Sequence, residues 1–266
     1  MSEPNGKGTA LITGASSGIG KVYADRMARR GYDLILVARD EQRLNDLSGQ
    51  LKTQTGIAVD VLKADLTNKA GLTRIEERLR TDKTVTMLIN NAGISVSGPF
   101  NGSDLDQQER LIQLNIVAVT RLAGAVVPNF VARGSGIIIN IASVLAVAPE
   151  ISGGAYSGSK AYVLNFTLSL NRELAKAGIR LQAVLPGATR TEIWERSGMD
   201  LENFPSSMIM EVDEMVDAAL AGLDRGELVT IPALPEIADW EDFTAARLKL
   251  GPNLSRDHAA PRYKTV

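Results

Sequence analysis

Three side chains near the middle of the chain, Ser143, Tyr156 and Lys160, have the types and the spacing to move a proton to or from a carbonyl oxygen. Ser143 follows an apolar run at residues 137–141 that reads as a buried strand. Tyr156 stands thirteen positions on, near the start of a segment with helical periodicity, and Lys160 comes at i+4, so both lie on one helical face. A phenol of ordinary pKa (about 10) is a poor acid or base at neutral pH, and an ammonium beside it favours the phenolate and pulls that value down. A serine hydroxyl nearby donates to the same oxygen that the tyrosine protonates. Such a set polarises a carbonyl and delivers a proton, which is half of a carbonyl reduction. Tyr-x-x-x-Lys alone also arises by chance, so the reading needs a hydride donor encoded elsewhere.

Signals for that donor lie in the first forty residues. A β-type run at residues 9–13 leads into Gly14-Ala15-Ser16-Ser17-Gly18-Ile19-Gly20 and then a helix to about Arg30. A glycine turn between strand and helix lets the backbone approach a pyrophosphate, with helix N-terminal N–H groups facing the anion. A second strand, residues 32–38, ends at Arg39-Asp40, where the adenosine ribose of a dinucleotide would lie. A guanidinium there pairs with a 2′-phosphate, so Arg39 argues for NADP. Asp40 could instead accept from a free 2′-hydroxyl, which leaves NAD as the alternative, or it could merely cap the next helix.

The elements that must position these residues follow in alternation. Strands are expected at residues 57–63, 87–89, 137–141, 179–185 and 228–231, with helices between them, including a long one at residues 105–132 that carries Asn115 among apolar positions. The helix bearing Tyr156 and Lys160 is expected to run to about Ala177 and stop at Gly178. Residues 195–210 lack periodicity and read as a mobile lid or loop; helices are expected again at residues 211–224 and near 240–250. The class is α/β, a Rossmann-like doubly wound parallel sheet of about seven strands with helices on both faces, formed as one domain with a core at residues 7–231 and an extension at 232–266. Gly14, Arg39, Asp65, Asn91, Ser143 and Pro186 then all fall at the carboxyl ends of strands, where ligands of such sheets gather. Taken alone, Asn91 and Asn115 are equally explained as satisfied core amides.

Composition removes several rivals. The 266 residues contain no cysteine and one histidine, His258, so thiolate metal sites and a Ser-His-Asp hydrolase are excluded. Net charge is −2 with the two signs interspersed, which makes nucleic acid and an anionic membrane poor partners. The amino terminus lacks a signal-peptide core, and the apolar run 137–148 is too short to span a bilayer, so a cytoplasmic protein is expected.

With these motifs in order, the chain resembles the short-chain dehydrogenase/reductase family of the ordinary single-domain type. The resemblance covers about residues 7–231 and rests on Thr13 to Gly20, Asn90-Asn91-Ala92-Gly93, Asn115, Ser143, Tyr156-x-x-x-Lys160 and Pro186-Gly187. It implies Tyr156 as general acid in reduction and base in oxidation, Ser143 on the substrate oxygen, Lys160 on both the tyrosine and the nicotinamide ribose, and Asn115 holding a water in a proton relay. It implies a cofactor site built from Gly14, Ser16, Ser17, Gly18, Ile19, Gly20, Arg39, Asp65, Leu66, Asn91, Ala92, Gly93, Tyr156, Lys160, Pro186, Gly187 and Thr191, with no metal. Asp65 and Leu66 would flank the adenine, and Thr191 would meet the carboxamide. Two departures stand out: Ser17 occupies a place where many NADP-dependent relatives carry a basic residue, and the tail extends past the minimal fold. The expected function is NADP(H)-dependent interconversion of a ketone or aldehyde and an alcohol, acting on a small molecule such as a 3-oxoacyl thioester, a steroid-like ketone or a sugar-derived carbonyl, in a homodimer or homotetramer. The rival is a dinucleotide-binding regulator or scaffold of the same fold without turnover. Leu145, Ile151, Trp194, Met208 and Met210 are candidates for an apolar pocket.

Overall fold

The computed structural model describes residues 6–96, 98–151, 154–198, 200–201 and 204–264. The chain divides into two compact units, Met1–Pro232 and Ala233–Val266.

The first unit is built on seven parallel strands: β1 (Thr9–Thr13), β2 (Asp33–Ala38), β3 (Val59–Lys63), β4 (Val85–Asn90), β5 (Gly136–Ile141), β6 (Ile179–Val184) and β7 (Val229–Thr230). Their order is β3-β2-β1-β4-β5-β6-β7, so connections reverse direction between β1 and β4 and open a crevice at the carboxyl ends there. The strands read as near-continuous apolar runs because both faces of the sheet are covered. Alternation assigns each residue to a face. Ala10, Ile12, Leu34 and Leu36 pack with α1 (Gly18–Arg29), α2 (Glu41–Thr55) and α8 (Val212–Arg225), while Leu11, Ile35 and Val37 pack with α3 (Lys69–Thr81) and α5 (Val119–Arg133). Each Leu or Ile buried this way contributes roughly 1.5–3 kcal/mol.

A polar tie crosses the sheet beneath the site. Asn90 Nδ2 donates to Asn140 Oδ1 at 2.9 Å, and Asn140 Nδ2 donates to Thr167 Oγ1 at 2.9 Å on α6 (Gly154–Leu174). These buried bonds pin β4, β5 and α6 in one register, since a slip of one residue would leave the amides unpaired.

The helix expected at residues 105–132 is interrupted. α4 (Leu105–Ile112) passes into a π-helical turn, Gln113–Ala118, before α5 begins. The whole stretch Leu105–Arg133 is long and apolar enough to cross a membrane by length and composition, but half of its most apolar window is buried, with Leu122, Val126 and Phe130 packed in the core. α6 ends at Leu174 and is extended by a 3₁₀ turn, Ala175–Ala177, to Gly178, whose φ of 77° gives the left-handed stop the sequence predicts. Part of the segment expected to be loop is helical: α7 (Ile193–Ser197) is followed by a 3₁₀ turn at Ser206–Met208. Met199, Glu202 and Asn203 of that expected lid lie outside the described residues.

The second unit carries α9 (Ile237–Lys249), whose Trp240 and Phe243 rings sit 5.4 Å apart, and leaves Leu248, Leu250 and Leu254 exposed.

Candidate active site and dinucleotide groove

Three strand ends meet at the crevice. The first is the glycine turn after β1. Gly14 and Gly18 have φ of 67° and 51°, and a Cβ on Gly14 would stand 2.8 Å from Asn91 Nδ2. A Cβ on Gly20 would collide with the Gly14 carbonyl oxygen, so helix and turn fit together only with glycine there. α1 starts at Gly18 with Ser17 as its N-cap and no acidic residue in its first turn, which leaves the positive end of its dipole facing outward. Ile19 packs partly into the core and remains half-buried.

The end of β4 is stitched to this turn. Thr13 Oγ1 accepts from the N–H groups of Asn91 and Ala92, both at 3.0 Å, and Asn91 Nδ2 donates to the Thr13 carbonyl at 2.8 Å. The Asn91 amide nitrogen is thus given to the turn, and Ala92 packs partly buried against the core. Thr13 is the residue whose weight sequence reasoning missed, although it stands in the motif that carried the resemblance.

At the ribose corner the two candidate readers separate. Asp40 caps α2, its carboxylate accepting from Arg43 N at 3.0 Å. Arg39 is exposed and, among the described residues, makes no hydrogen bond or ion pair. Asp65, after β3, accepts from Thr67 N at 2.9 Å and Thr67 Oγ1 at 2.7 Å. Burial pushes its carboxyl up, but those bonds and the charges of Arg39 and Arg110 outweigh burial and hold it below the usual carboxylate range. Leu66 is buried.

The catalytic candidates gather at the end of β5. Ser143, 8% exposed, caps a 3₁₀ turn (Val144–Ala146) by accepting from Leu145 N at 3.2 Å, donates to Pro186 O at 3.5 Å, and lies near enough to Tyr156 to favour its ionised form. Pro186, past β6, turns its carbonyl back to accept from Val144 N at 3.0 Å, which fixes the serine loop from the other side. Gly187, beside it, is exposed, with no atom close to where a Cβ would sit. Lys160, one helical turn after Tyr156, is 6% exposed and donates to the Ile141 carbonyl at 2.9 Å. Its Nζ lies 5.6 Å from the Tyr156 ring centroid. Gly93 leaves room for it, since a Cβ there would stand 3.5 Å from Lys160 Nζ and 3.3 Å from Asn115 Oδ1.

Asn115 sits in the π turn, 1% exposed, with both side-chain N–H groups and one lone pair of Oδ1 used. Oδ1 accepts from Ile94 N at 3.0 Å, and Nδ2 donates to Ile94 O at 2.9 Å and to Ser159 Oγ at 3.1 Å. The amide therefore clips the strand-end loop to α6, leaving one lone pair of Oδ1 and the main chain available to a water.

The electrostatics reverse one expectation. Tyr156 is half-buried as a residue, yet its hydroxyl lies deep among neighbours; burial pushes it up to about 12, and the nearby Ser143 hydroxyl offsets only some of that. Lys160 is not among the causes that shift the phenol in this resting site, where burial dominates. Burial lowers Lys160 itself to about 8, because a dry site disfavours its charged form just as it disfavours the phenolate.

Beyond β6, Thr191 lies against the glycine turn, its side chain 3.3 Å from where a Cβ on Gly18 would be. Trp194 Nε1 donates to Thr189 O at 2.7 Å and its ring tilts against Phe204 at 5.0 Å. Of the other pocket candidates, Leu145 flanks Ser143, Ile151 and Met208 are exposed, and Met210 packs against the core.

A family model for short chain dehydrogenases matches residues 8–202. The chain is a short-chain dehydrogenase. It is accordingly an oxidoreductase of the alcohol/carbonyl type. This short-chain dehydrogenase is 52% identical to a solved short-chain dehydrogenase from Sphingobium yanoikuyae in complex with NADPH, with a TM-score of 0.94 over 97% of this chain and 100% of that one. It is 46% identical to the bulky-bulky ketone specific alcohol dehydrogenase from Comamonas testosteroni, with a TM-score of 0.90 over 97% and 99% of the two chains. A very-long-chain 3-oxoacyl-CoA reductase from Anas platyrhynchos is 34% identical over 191 residues, 69% of this chain and 60% of the relative.

Proposed function

We propose that the enzyme reduces a ketone or aldehyde to the alcohol with NADPH, Tyr156 giving the proton and Ser143 the second hydrogen bond to the substrate oxygen. The observation that carries this reading is the convergence of Ser143 and Tyr156 at the end of β5, the serine hydroxyl acting on the phenol to favour its ionised form, with Lys160 Nζ 5.6 Å from the tyrosine ring centroid. A carbonyl oxygen inserted between those hydroxyls accepts from both, which stabilises the charge that develops as its carbon is reduced. Tyr156 keeps its proton up to about 12, so at neutral pH it is the phenol that reduction needs. After transfer, the Lys160 ammonium stabilises the tyrosinate until it is reprotonated. Lys160 has two N–H donors beyond the one given to Ile141, and these serve a ribose hydroxyl and a proton relay past Asn115.

The residues present fit a dinucleotide. The glycine turn forms a cradle that side chains would fill, the first turn of α1 is free of acid, and Thr191 edges the groove. When bound, the nicotinamide supplies the hydride. NADPH over NADH is supported by the exposed Arg39 guanidinium, by the commitment of Asp40 to capping, and by the likeness to a chain solved with NADPH. NAD is the alternative. A ketone with two large substituents is favoured by the likeness to the Comamonas enzyme, and a 3-oxoacyl thioester is the alternative substrate. The reading is completed by a catalytic core at residues 7–231 and by a cytoplasmic homodimer or homotetramer; exposed Leu105, Ile112 and Val131 on α4 and α5 support self-association, and light scattering measures it.

The test is oxidation of NADPH and NADH against small aldehydes, bulky ketones and a 3-oxoacyl thioester. Turnover of bulky ketones with NADPH supports the proposal. Preference for the thioester corrects the substrate, and NADPH binding without turnover of any carbonyl overturns the enzyme reading in favour of a regulator.

A further inference from the structure

Arg43 and Glu192 stand 149 positions apart, yet Arg43 Nη1 donates to both oxygens of Glu192, at 3.0 and 2.8 Å. Arg43 belongs to the first turn of α2, immediately past the ribose corner. Glu192 caps α7 from the segment that leaves β6. In the strand order β3-β2-β1-β4-β5-β6-β7, β6 and β2 are four places apart, about 19 Å at the usual strand spacing. The segment between them must therefore run past the crevice at the β1/β4 reversal, and Thr191 against Gly18 marks where it passes the glycine turn. The segment's other side is fastened independently. Met210 N donates to Ala188 O at 2.9 Å, Arg190 N donates to Met210 O at 3.0 Å, and Arg190 pairs with Glu211 at 2.8 Å.

We propose that the Arg43–Glu192 ion pair is the free-end fastening of a strap, residues 188–192, laid over the dinucleotide groove, so that both are positioning residues that slow release of the cofactor. This rests on the reading of the groove as a dinucleotide site. Anchored at Met210 and Glu211, the strap can lift only from the Arg43 side, and lifting it withdraws Thr191 from the glycine turn. Asp40, 3.4 Å from Arg43 Nε, steers the guanidinium from below. The two side chains are 49% and 40% exposed, so the pair is weak and its opening is frequent.

Two measurements test it. Hydrogen exchange on the protein alone should show faster exchange of the 188–197 amides in Glu192→Gln than in the parent, with the sheet unchanged. Stopped-flow fluorescence should show NADH and NADPH leaving about two- to fivefold faster from Glu192→Gln and from Arg43→Gln. The swapped variant Arg43→Glu/Glu192→Arg, made together with Asp40→Asn so that the α2 cap is kept and no carboxylate faces the new glutamate, should return NADH release to the parent rate; NADH is the probe because a glutamate at position 43 would repel a 2′-phosphate. Unchanged exchange, or no rescue by the swap, overturns the strap. Faster release of NADPH alone from Arg43→Gln, with NADH and Glu192→Gln unaffected, overturns it in favour of Arg43 as a phosphate ligand. If neither dinucleotide binds the parent protein, the groove reading fails and the strap's role in retention falls with it, while exchange still decides whether the fastening exists.

Discussion

Lys160 donates to the Ile141 carbonyl at 2.9 Å, so the cation that faces Tyr156 is held by the last residue of β5 rather than by a counter-charge. Among the causes that shift Lys160, burial alone acts, and it brings the value to about 8. Reductive kcat/KM should accordingly hold steady through neutral pH and decline as pH rises past about 8, when the ammonium is lost, with the phenol still protonated until about 12. A pH–rate profile with NADPH measures it. A profile flat to pH 10 would show that the charge on Lys160 is not needed for the step.

The same two groups push stability in opposite directions. Lys160 has a folded value, about 8, below its ordinary 10.5, so its burial is most costly below pH 8, and its contribution to stability rises as pH climbs from 8 to 10.5. Tyr156 is raised from 10.0 to about 12, so stability it supplies below pH 10 is lost between 10 and 12. Urea unfolding of Lys160→Met against the parent should show the gap between them narrowing from pH 8 to pH 10.

Tyr156→Phe should keep NADPH affinity and lose about 10²–10⁴-fold in kcat, because the acid goes while the ring stays. Fluorescence titration and steady-state assay together check both halves. Unchanged turnover would remove Tyr156 from the reaction.

Arg39→Ala should raise the KM for NADPH by at least tenfold more than that for NADH. Asp40→Ala should leave the ratio alone and lower stability by about 1 kcal/mol through loss of the α2 cap. Kinetics with both cofactors, and a thermal melt, separate the neighbours.

Gly20→Ala drives a methyl group into the Gly14 carbonyl oxygen, a backbone atom that cannot step aside. Dinucleotide affinity should fall at least tenfold, with the remainder of the sheet intact by circular dichroism.

The gathering of Ser143, Tyr156 and Lys160 at one strand end was legible because its logic is local. Tyr156 and Lys160 lie one helical turn apart, and Ser143 follows a run apolar enough to be a buried strand. Asn115 was legible as a buried amide, but its π turn was not. The six residues Gln113–Ala118 are too few to show a period of their own between two α-helical stretches. α7 was read as loop because five residues are too few to show a period. The proton affinity of Tyr156 was misjudged because spacing gives the neighbour's charge and not the depth at which both groups lie. Arg43 and Glu192 carry no mark in the sequence of the sheet crossing that brings them together.

The π turn makes the length of the 105–133 helix a matter of function. Removing one residue from it would restore an unbroken α-helix and abolish the bulge that presents Asn115, with the turns on either side left nearly in phase. The Asn115 amide would then lose its grip on Ile94, and the peptide beside Gly93 would swing free of the cation it shields. A single-codon deletion there is therefore more damaging to catalysis than most amino-acid exchanges along the same helix.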